Sequence, residues 1–388
     1  MVTSGQPPAP RLLPLLAAGL TLLVLGAVPS AGGSPSALPA APAVGEVPAQ
    51  SPPPSTPEAE GAEPPDAGAP AAAPTSTAPP PPPPAESPGA SGPVAGTVTV
   101  STAAELSAAL AAARPGQTIR LNDGAYTGEF VAAASGTDGA AITLTGSRAA
   151  VLSSGSLKSG YGLHITGSYW QVSGLSVAQS AKGIVLDGSA HTTLSNVDVG
   201  GIGSEAVHFR ANSTDCIIED SDIHDTGLAK PGFGEGIYVG SAKSNWKTVM
   251  GSAATPDRSD RVLISNNRIS RTSAEGIDIK EGTTGGKVTG NSFSEAGFSG
   301  ANSADSWVDV KGNGYTVTGN SGSTTKLDAL QVHKVLDGWG RDNAFSGNTV
   351  LGGVPGYEVW IQSEELGNTV RCQASTAGRG LTNIPCTP

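Results

Sequence analysis

The chain has 388 residues, a formal net charge of −11, 53 glycines and 31 prolines, with 4% aromatic and 14% charged residues. That acidic balance argues against nucleic acid as a partner, and the length leaves room for a large folded unit beside non-globular sequence. The five histidines lack zinc-ligand spacing, and no Gly-x-Ser-x-Gly elbow, glycine-rich phosphate loop or paired-cysteine zinc pattern is present.

The first element is an apolar run, RLLPLLAAGLTLLVLGAVPSA, after a short segment that carries Arg11 at its end. It reads as a signal peptide over residues 1–31, with a small-residue cleavage site near Ala31. The alternative is an uncleaved anchor, since residues 12–28 approach the lower limit of about 17 residues for a membrane span. Membrane association is expected only in that case, and either outcome places the remainder outside the cytoplasmic membrane, secreted or tethered. Residues 32–96 follow, rich in Ala, Pro, Ser and Glu and including APPPPPPAES. With almost no large apolar side chain, burial cannot offset the entropy of ordering, so disorder or partial polyproline II is expected.

A folded domain is expected over residues 97–388. STAAELSAALAAARPGQTIRLNDGAYTG offers Ser101 or Thr102 as an N-cap, a short amphipathic helix, a Pro115-Gly116 stop and a strand. After residue 160 the chain repeats. A first strand recurs as GIVLD, AVHFR, GIYVG, GIDIK, WVDVK, ALQVH and EVWIQ, starting at 183, 206, 236, 276, 307, 329 and 358. A second short strand follows each of the first six and ends at a polar residue: Asn196, Asp220, Asn266, Asn291, Asn320 and Asn348. Period-two alternation between turn residues predicts strands. Successive starts are 23, 30, 40, 31, 22 and 29 residues apart, a variation that a solenoid absorbs in its loops.

The pattern resembles the right-handed parallel β-helix of the pectate-lyase-like superfamily, over about residues 98 to 365. There each coil has three strands, with an asparagine bend after the second. SGTDGAAITLTG, from residue 135, is similar to the start of chondroitinase-B-like and alginate-lyase-like members. The resemblance implies an all-β, right-handed parallel β-helix solenoid, closed at one end by the helix and at the other by the cysteine-bearing C-terminal segment. Cys372 and Cys386 could form a disulfide in an oxidising compartment, and Cys216 reads as core.

Stacked coils lie about 4.8 Å apart, so the strands can be read as columns. Two columns are apolar. One outward column reads Val185, His208, Tyr238, Asp278, Asp309, Gln331, Trp360; the next reads Asp187, Arg210, Gly240, Lys280, Lys311, His333, Gln362. A third, before the strand, carries Glu205, Glu235, Glu275, Ser306 and Asp328. Asp278 falls beside Asp309 and Lys280 beside Lys311, although like charges opposite one another are destabilising. A purely structural surface grid of neutralised charges is one explanation. A site for an acidic glycan is the other. Removal of the C5 proton of a uronate needs its carboxylate neutralised, by calcium or by an arginine, and then a base. A lysine crowded by a second cation has its pKa lowered.

The resemblance implies a polysaccharide lyase that works on this outward face by β-elimination. The expected catalytic residues are Lys280 as base and Lys311; the expected substrate contacts are Arg210, His333, His208, Tyr238 and Trp360. Asp278, Asp309, Glu275 and Glu235 are the expected ligands of a Ca2+ ion. The partner would be an acidic polysaccharide and the protein a monomer. A glycoside hydrolase using Asp278 and Asp309 as paired carboxylates and a non-catalytic glycan-binding protein are the alternatives. Trp246 and Lys247, in the coil lengthened by residues 241–260, and Trp339 are further candidate sugar contacts.

Overall fold

The computed structural model describes residues 96–301 and 304–388; the expected signal peptide and, but for Gly96, the expected linker lie outside them. The described chain winds into a β-helix of three parallel sheets, with eleven, nine and nine strands. Each strand pairs with its counterparts in the neighbouring coils, so every coil contributes to all three faces through most of the stack.

The nine-stranded sheet that carries the charged columns consists of β1 (Val131–Ala132), β2 (Tyr161–Ile165), β3 (Lys182–Asp187), β4 (Val207–Arg210), β5 (Ile237–Val239), β6 (Ile277–Ile279), β7 (Val308–Val310), β8 (Leu330–Val332) and β9 (Val359–Ile361). Alternation sends one set of side chains inward. Ile184, Val207, Ile237, Ile277, Val308, Leu330 and Val359 stack in one column and Leu186 to Ile361 in the other, all buried. Burying apolar surface at roughly 25 cal/mol per Å² favours this register, and a slip by one residue would turn the charges into the core.

Helix α1 (Ala103–Ala111) begins at Thr102, whose hydroxyl accepts from Glu105 N at 3.2 Å while Glu105 Oε2 accepts from Thr102 N at 3.2 Å. This capping box satisfies two amides that the helix leaves open, and Leu106 and Leu110 are buried in the core. Beyond β9 the chain is joined by the Cys372–Cys386 disulfide, and Leu381 and Ile384 pack against the last part of the core. Cys216 is buried with a free thiol.

The single polar column expected after the second strand is in fact two. Asn196, Asp220 and Asn266 take φ of 51°, 51° and 56°, and Gly290, Gly319 and Gly347 hold that bend in later coils. These are residue types that tolerate the left-handed region. The ladder runs one residue later, through Asn267, Asn291, Asn320 and Asn348, each Nδ2 donating to the next Oδ1 at 3.0 Å.

Candidate active site

Register places His208 beside Tyr238, Tyr238 beside Asp278, Asp278 beside Asp309, Asp309 beside Gln331 and Gln331 beside Trp360. The columns expected from sequence are therefore adjacent in space. Their surroundings differ from expectation. Asp278, Lys280, Asp309, Lys311 and Glu275 are each 4% exposed or less, so they form a buried charged layer and not an open grid.

The layer is closed by reciprocal pairing. Asp278 lies between the lysines, with Oδ2 2.8 Å from Lys280 Nζ and Oδ1 2.9 Å from Lys311 Nζ. Lys311 Nζ is also 2.9 Å from Asp309 Oδ2, and His333 Nδ1 is 2.8 Å from Asp309 Oδ1. The repulsion expected between the two lysines is thus offset by a carboxylate placed between them. Burial pushes the Asp309 carboxyl upward, but the charges of His333 and Lys311 overcome this and hold it well below the usual carboxylate range. For His333, burial favours the neutral ring, yet the Asp309 charge and hydrogen bond raise its pKa.

Glu205, Glu235 and Glu275 follow one another in successive coils, as the bonds from Ala206 N to Glu235 O and from Gly236 N to Glu275 O require. Glu235, Glu275 and Asp278 each offer a carboxylate oxygen within 4.8 Å of the others. Glu235 Oε2 and Glu275 Oε1 are buried without a hydrogen-bond partner among the described residues. Burial first, then the charges of Glu205 and Asp278, raise the Glu235 pKa well above the carboxylate range. Burial and Asp278 do the same for Glu275. Asp309, the fourth expected ligand, lies outside this group and is taken up by Lys311 and His333.

Toward the N-terminal coils, Glu205 Oε1 is 3.1 Å from Lys182 Nζ and 3.5 Å from His208 Nδ1, and His208 Nε2 donates to Gly240 O at 2.8 Å. Tyr238 packs edge-on to His208 at 4.4 Å, and its ring centroid is 5.3 Å from Lys280 Nζ. Arg210 turns its fork onto Asp187, with Nε 2.6 Å from Oδ1 and Nη2 3.1 Å from Oδ2, and also reaches Tyr161 OH at 3.0 Å. His164 Nε2 meets the same Asp187 at 2.8 Å. Lys182, His164 and Tyr161 carry no sequence signal of their own; only extending the columns to the first coils would have found them. At the other end, Trp360 is half-buried with its ring 5.1 Å from His333. Trp246 is not a sugar platform: it is buried, its Nε1 donates to Ser241 O at 2.9 Å, and its ring lies against Gly282. Trp339 is half-buried, with Arg258 5.9 Å from its ring.

The family model for the right-handed beta helix region matches residues 133–255. Among solved structures, an alginate lyase from Paenibacillus sp. str. FPU-7 is 39% identical, with a TM-score of 0.69, and the match covers 76% of this chain and 99% of that one. A mannuronic acid specific polysaccharide family 6 lyase from human gut microbiota is 17% identical with a TM-score of 0.51, over 72% of this chain and 67% of that one. A GH136 lacto-N-biosidase from Eubacterium ramulus is 13% identical with a TM-score of 0.53, over 67% of this chain and 54% of that one. The last two share the fold alone. No curated protein matches the sequence.

Proposed function

Because the chain belongs to the right-handed parallel β-helix family of the Paenibacillus alginate lyase, we propose that it is a polysaccharide lyase acting outside the cytoplasmic membrane. It cleaves a uronic acid-containing glycan by β-elimination, and alginate is the first substrate to test. The observation that carries this reading is the Lys280–Asp278–Lys311 layer in register with Tyr238.

In the proposed reaction Lys280 Nζ, unprotonated, takes the C5 proton of the uronate. The released electron pair forms the C4–C5 double bond and the C4–O bond breaks. The leaving oxygen takes a proton, for which the Tyr238 hydroxyl in the adjacent coil is the donor. Asp278 holds both lysine Nζ atoms in place, and Lys311 with His333 supplies positive charge to the substrate carboxylate. These roles require the substrate to reach a layer that is closed in this structure, so its approach must displace part of the cover.

Glu235, Glu275 and Asp278 fit a calcium ion in donor type, since all offer hard oxygen ligands and two oxygens are buried and unpartnered. With Glu205, Glu235, Glu275, Asp278 and Asp309 all ionised against Lys182, Lys280 and Lys311, the layer would carry an excess of two negative charges, five minus three, before histidines, and protonation of Glu235 and Glu275 is what relieves it without a cation. A bound calcium ion would neutralise that excess and help polarise a nearby uronate carboxylate.

The test incubates the full chain with alginate, pectate, glucuronan and glycosaminoglycans, with and without calcium. The expected result is ultraviolet absorbance of the unsaturated uronate end, reduced about 100-fold or more in Lys280→Ala. New reducing ends without that absorbance would transfer the assignment to hydrolysis, and binding with neither product would make the protein a glycan-binding module.

A further inference from the structure

Past the lysine pair, toward β9, the chemistry of the face changes. The neighbour of Asp309 on β8 is Gln331, and the neighbour of Gln331 on β9 is Trp360. Gln331 Nε2 donates to Asp305 Oδ1 at 2.8 Å and to Asp328 Oδ2 at 3.1 Å. Both amide hydrogens are committed, so the orientation of the amide is fixed. Its Oε1 is left buried without a partner among the described residues, in a residue 2% exposed.

The two carboxylates are themselves held in place. Asp328 Oδ1 accepts from Tyr357 N at 2.5 Å. The backbone carbonyl of Asp305 accepts from Leu327 N at 2.9 Å, which pins this loop residue over the next coil. Asp305, His333 and Trp360 are half-buried, whereas the lysine layer beside them is closed. This is where the face opens.

Asp305, Asp328 and the Gln331 carbonyl all accept hydrogen bonds. Sugar hydroxyls donate them; a uronate carboxylate does not, and it carries the same charge as the aspartates. His333, the residue after β8, and Lys311, the residue after β7 in the neighbouring coil, favour a carboxylate. Trp360 adds an apolar ring against which a sugar face can rest.

We propose that Asp305, Gln331 and Asp328, with Trp360, form a hydroxyl-reading subsite for a sugar residue next to the one that reacts. It turns the hydroxyl edge of that sugar toward Asp305 and its carboxylate toward His333 and Lys311. The subsite lies two coils, roughly 9–10 Å, from Lys280, and the proposal rests on the lyase reading. Asp305 touches the sugar. Gln331 and Asp328 are positioning residues that hold Asp305 and the amide in place.

The experiment titrates alginate oligosaccharides, and the same oligosaccharides chemically O-acetylated, into the full chain carrying Lys280→Ala, which prevents turnover. Acetylation removes the hydroxyl donors and leaves the carboxylates. It is expected to weaken binding about tenfold or more. Adding Asp305→Ala, which keeps the backbone anchor, is expected to weaken binding of the unmodified oligosaccharide and to remove most of the acetylation penalty. Gln331→Met is expected to do the same in smaller degree, and circular dichroism verifies that each variant is folded. An acetylation penalty unchanged within about twofold in both variants overturns the subsite and leaves the lyase reading intact. Absence of alginate binding, together with absence of unsaturated product from the unsubstituted chain, overturns both.

Discussion

Asp278 and Lys311 define the residue scale, because each has two oppositely charged partners and almost no exposure. The stability of such a layer depends on protonation, and four groups set the sign. His333 has its pKa raised above 6.5, so its contribution is complete below 6.5 and is lost as pH rises through the folded value. Glu235 and Glu275 are raised well above 4.5, so the folded state favours their protonated form and stability falls as pH rises from 4.5 through the folded values. Asp309 runs the other way: its pKa is held below 3.8, and its contribution is lost only as pH falls through that lower value. The urea midpoint is therefore expected to decline with rising pH above about 4.5. Glu235→Gln with Glu275→Gln is expected to flatten that decline, as is calcium for the unsubstituted chain, since a cation would stabilise the ionised pair. A midpoint that rises from pH 5 to pH 8 would contradict the assignment. The columns themselves were legible in GIDIK and WVDVK, because period two fixes which side chains share a face. Their burial was not, because it depends on Lys311 reaching back across a coil to Asp278, a contact 33 residues away in sequence.

At the scale of elements, the 241–260 insertion shows what a repeat can and cannot reveal. Its length was legible, since the strand pattern stops at Val239 and resumes only at Leu263. Its fastening was not. Asp257 accepts from Ala211 N and Asn212 N at 2.9 Å each, from Ser241 Oγ at 2.9 Å and from Ser259 Oγ at 2.8 Å. The two backbone partners lie 46 and 45 residues earlier, beyond any local pattern. Glu281, directly after Lys280, takes Lys243 N at 2.5 Å, and the α2 helix (Trp246–Met250) sets its Trp246 ring against Gly282. The insertion is thus tied at both ends to coils that carry the site. Asp257→Ala removes the acceptor of two part-buried amides and of the buried Ser241 and Ser259 hydroxyls, and a loss of about 1–3 kcal/mol for such a buried group is expected to loosen the insertion first. Limited proteolysis is expected to cut within residues 241–260 sooner in the variant than in the parent chain. Equal cutting rates would mean that Trp246 packing holds the segment unaided. The two-column bend belongs to the same scale: TLSN and KVTGN look equivalent in sequence, but the extra glycine in the second moves its asparagine from the bend into the ladder.

For the molecule as a whole, a parallel β-helix must end somewhere, and each end offers unpaired strand edges that invite association. At the start of the stack α1 covers the core. At the other end the segment after β9 folds over the last coil: Glu358 N donates to Gly380 O at 3.0 Å, Val359 N to Leu381 O at 2.9 Å and Ile361 N to Asn383 Oδ1 at 2.8 Å. These are the bonds another strand would otherwise make along β9. The Cys372–Cys386 bond closes a span of 14 residues across this cover, for which loop-closure entropy corresponds to about 3 kcal/mol. Cys372→Ser with Cys386→Ser is therefore expected to lower the thermal unfolding temperature, and reduction of the parent chain is expected to reproduce that loss. If the disulfide chiefly keeps the cover seated, the variant also exposes the β9 edge, and light scattering is expected to detect association that grows with protein concentration below the unfolding temperature. A lowered unfolding temperature without association would mean that the bridge acts only on the unfolded chain, while Leu381, Ile384 and the three bonds keep β9 covered. An unchanged unfolding temperature would remove the disulfide from the account of stability altogether and leave the cap to packing.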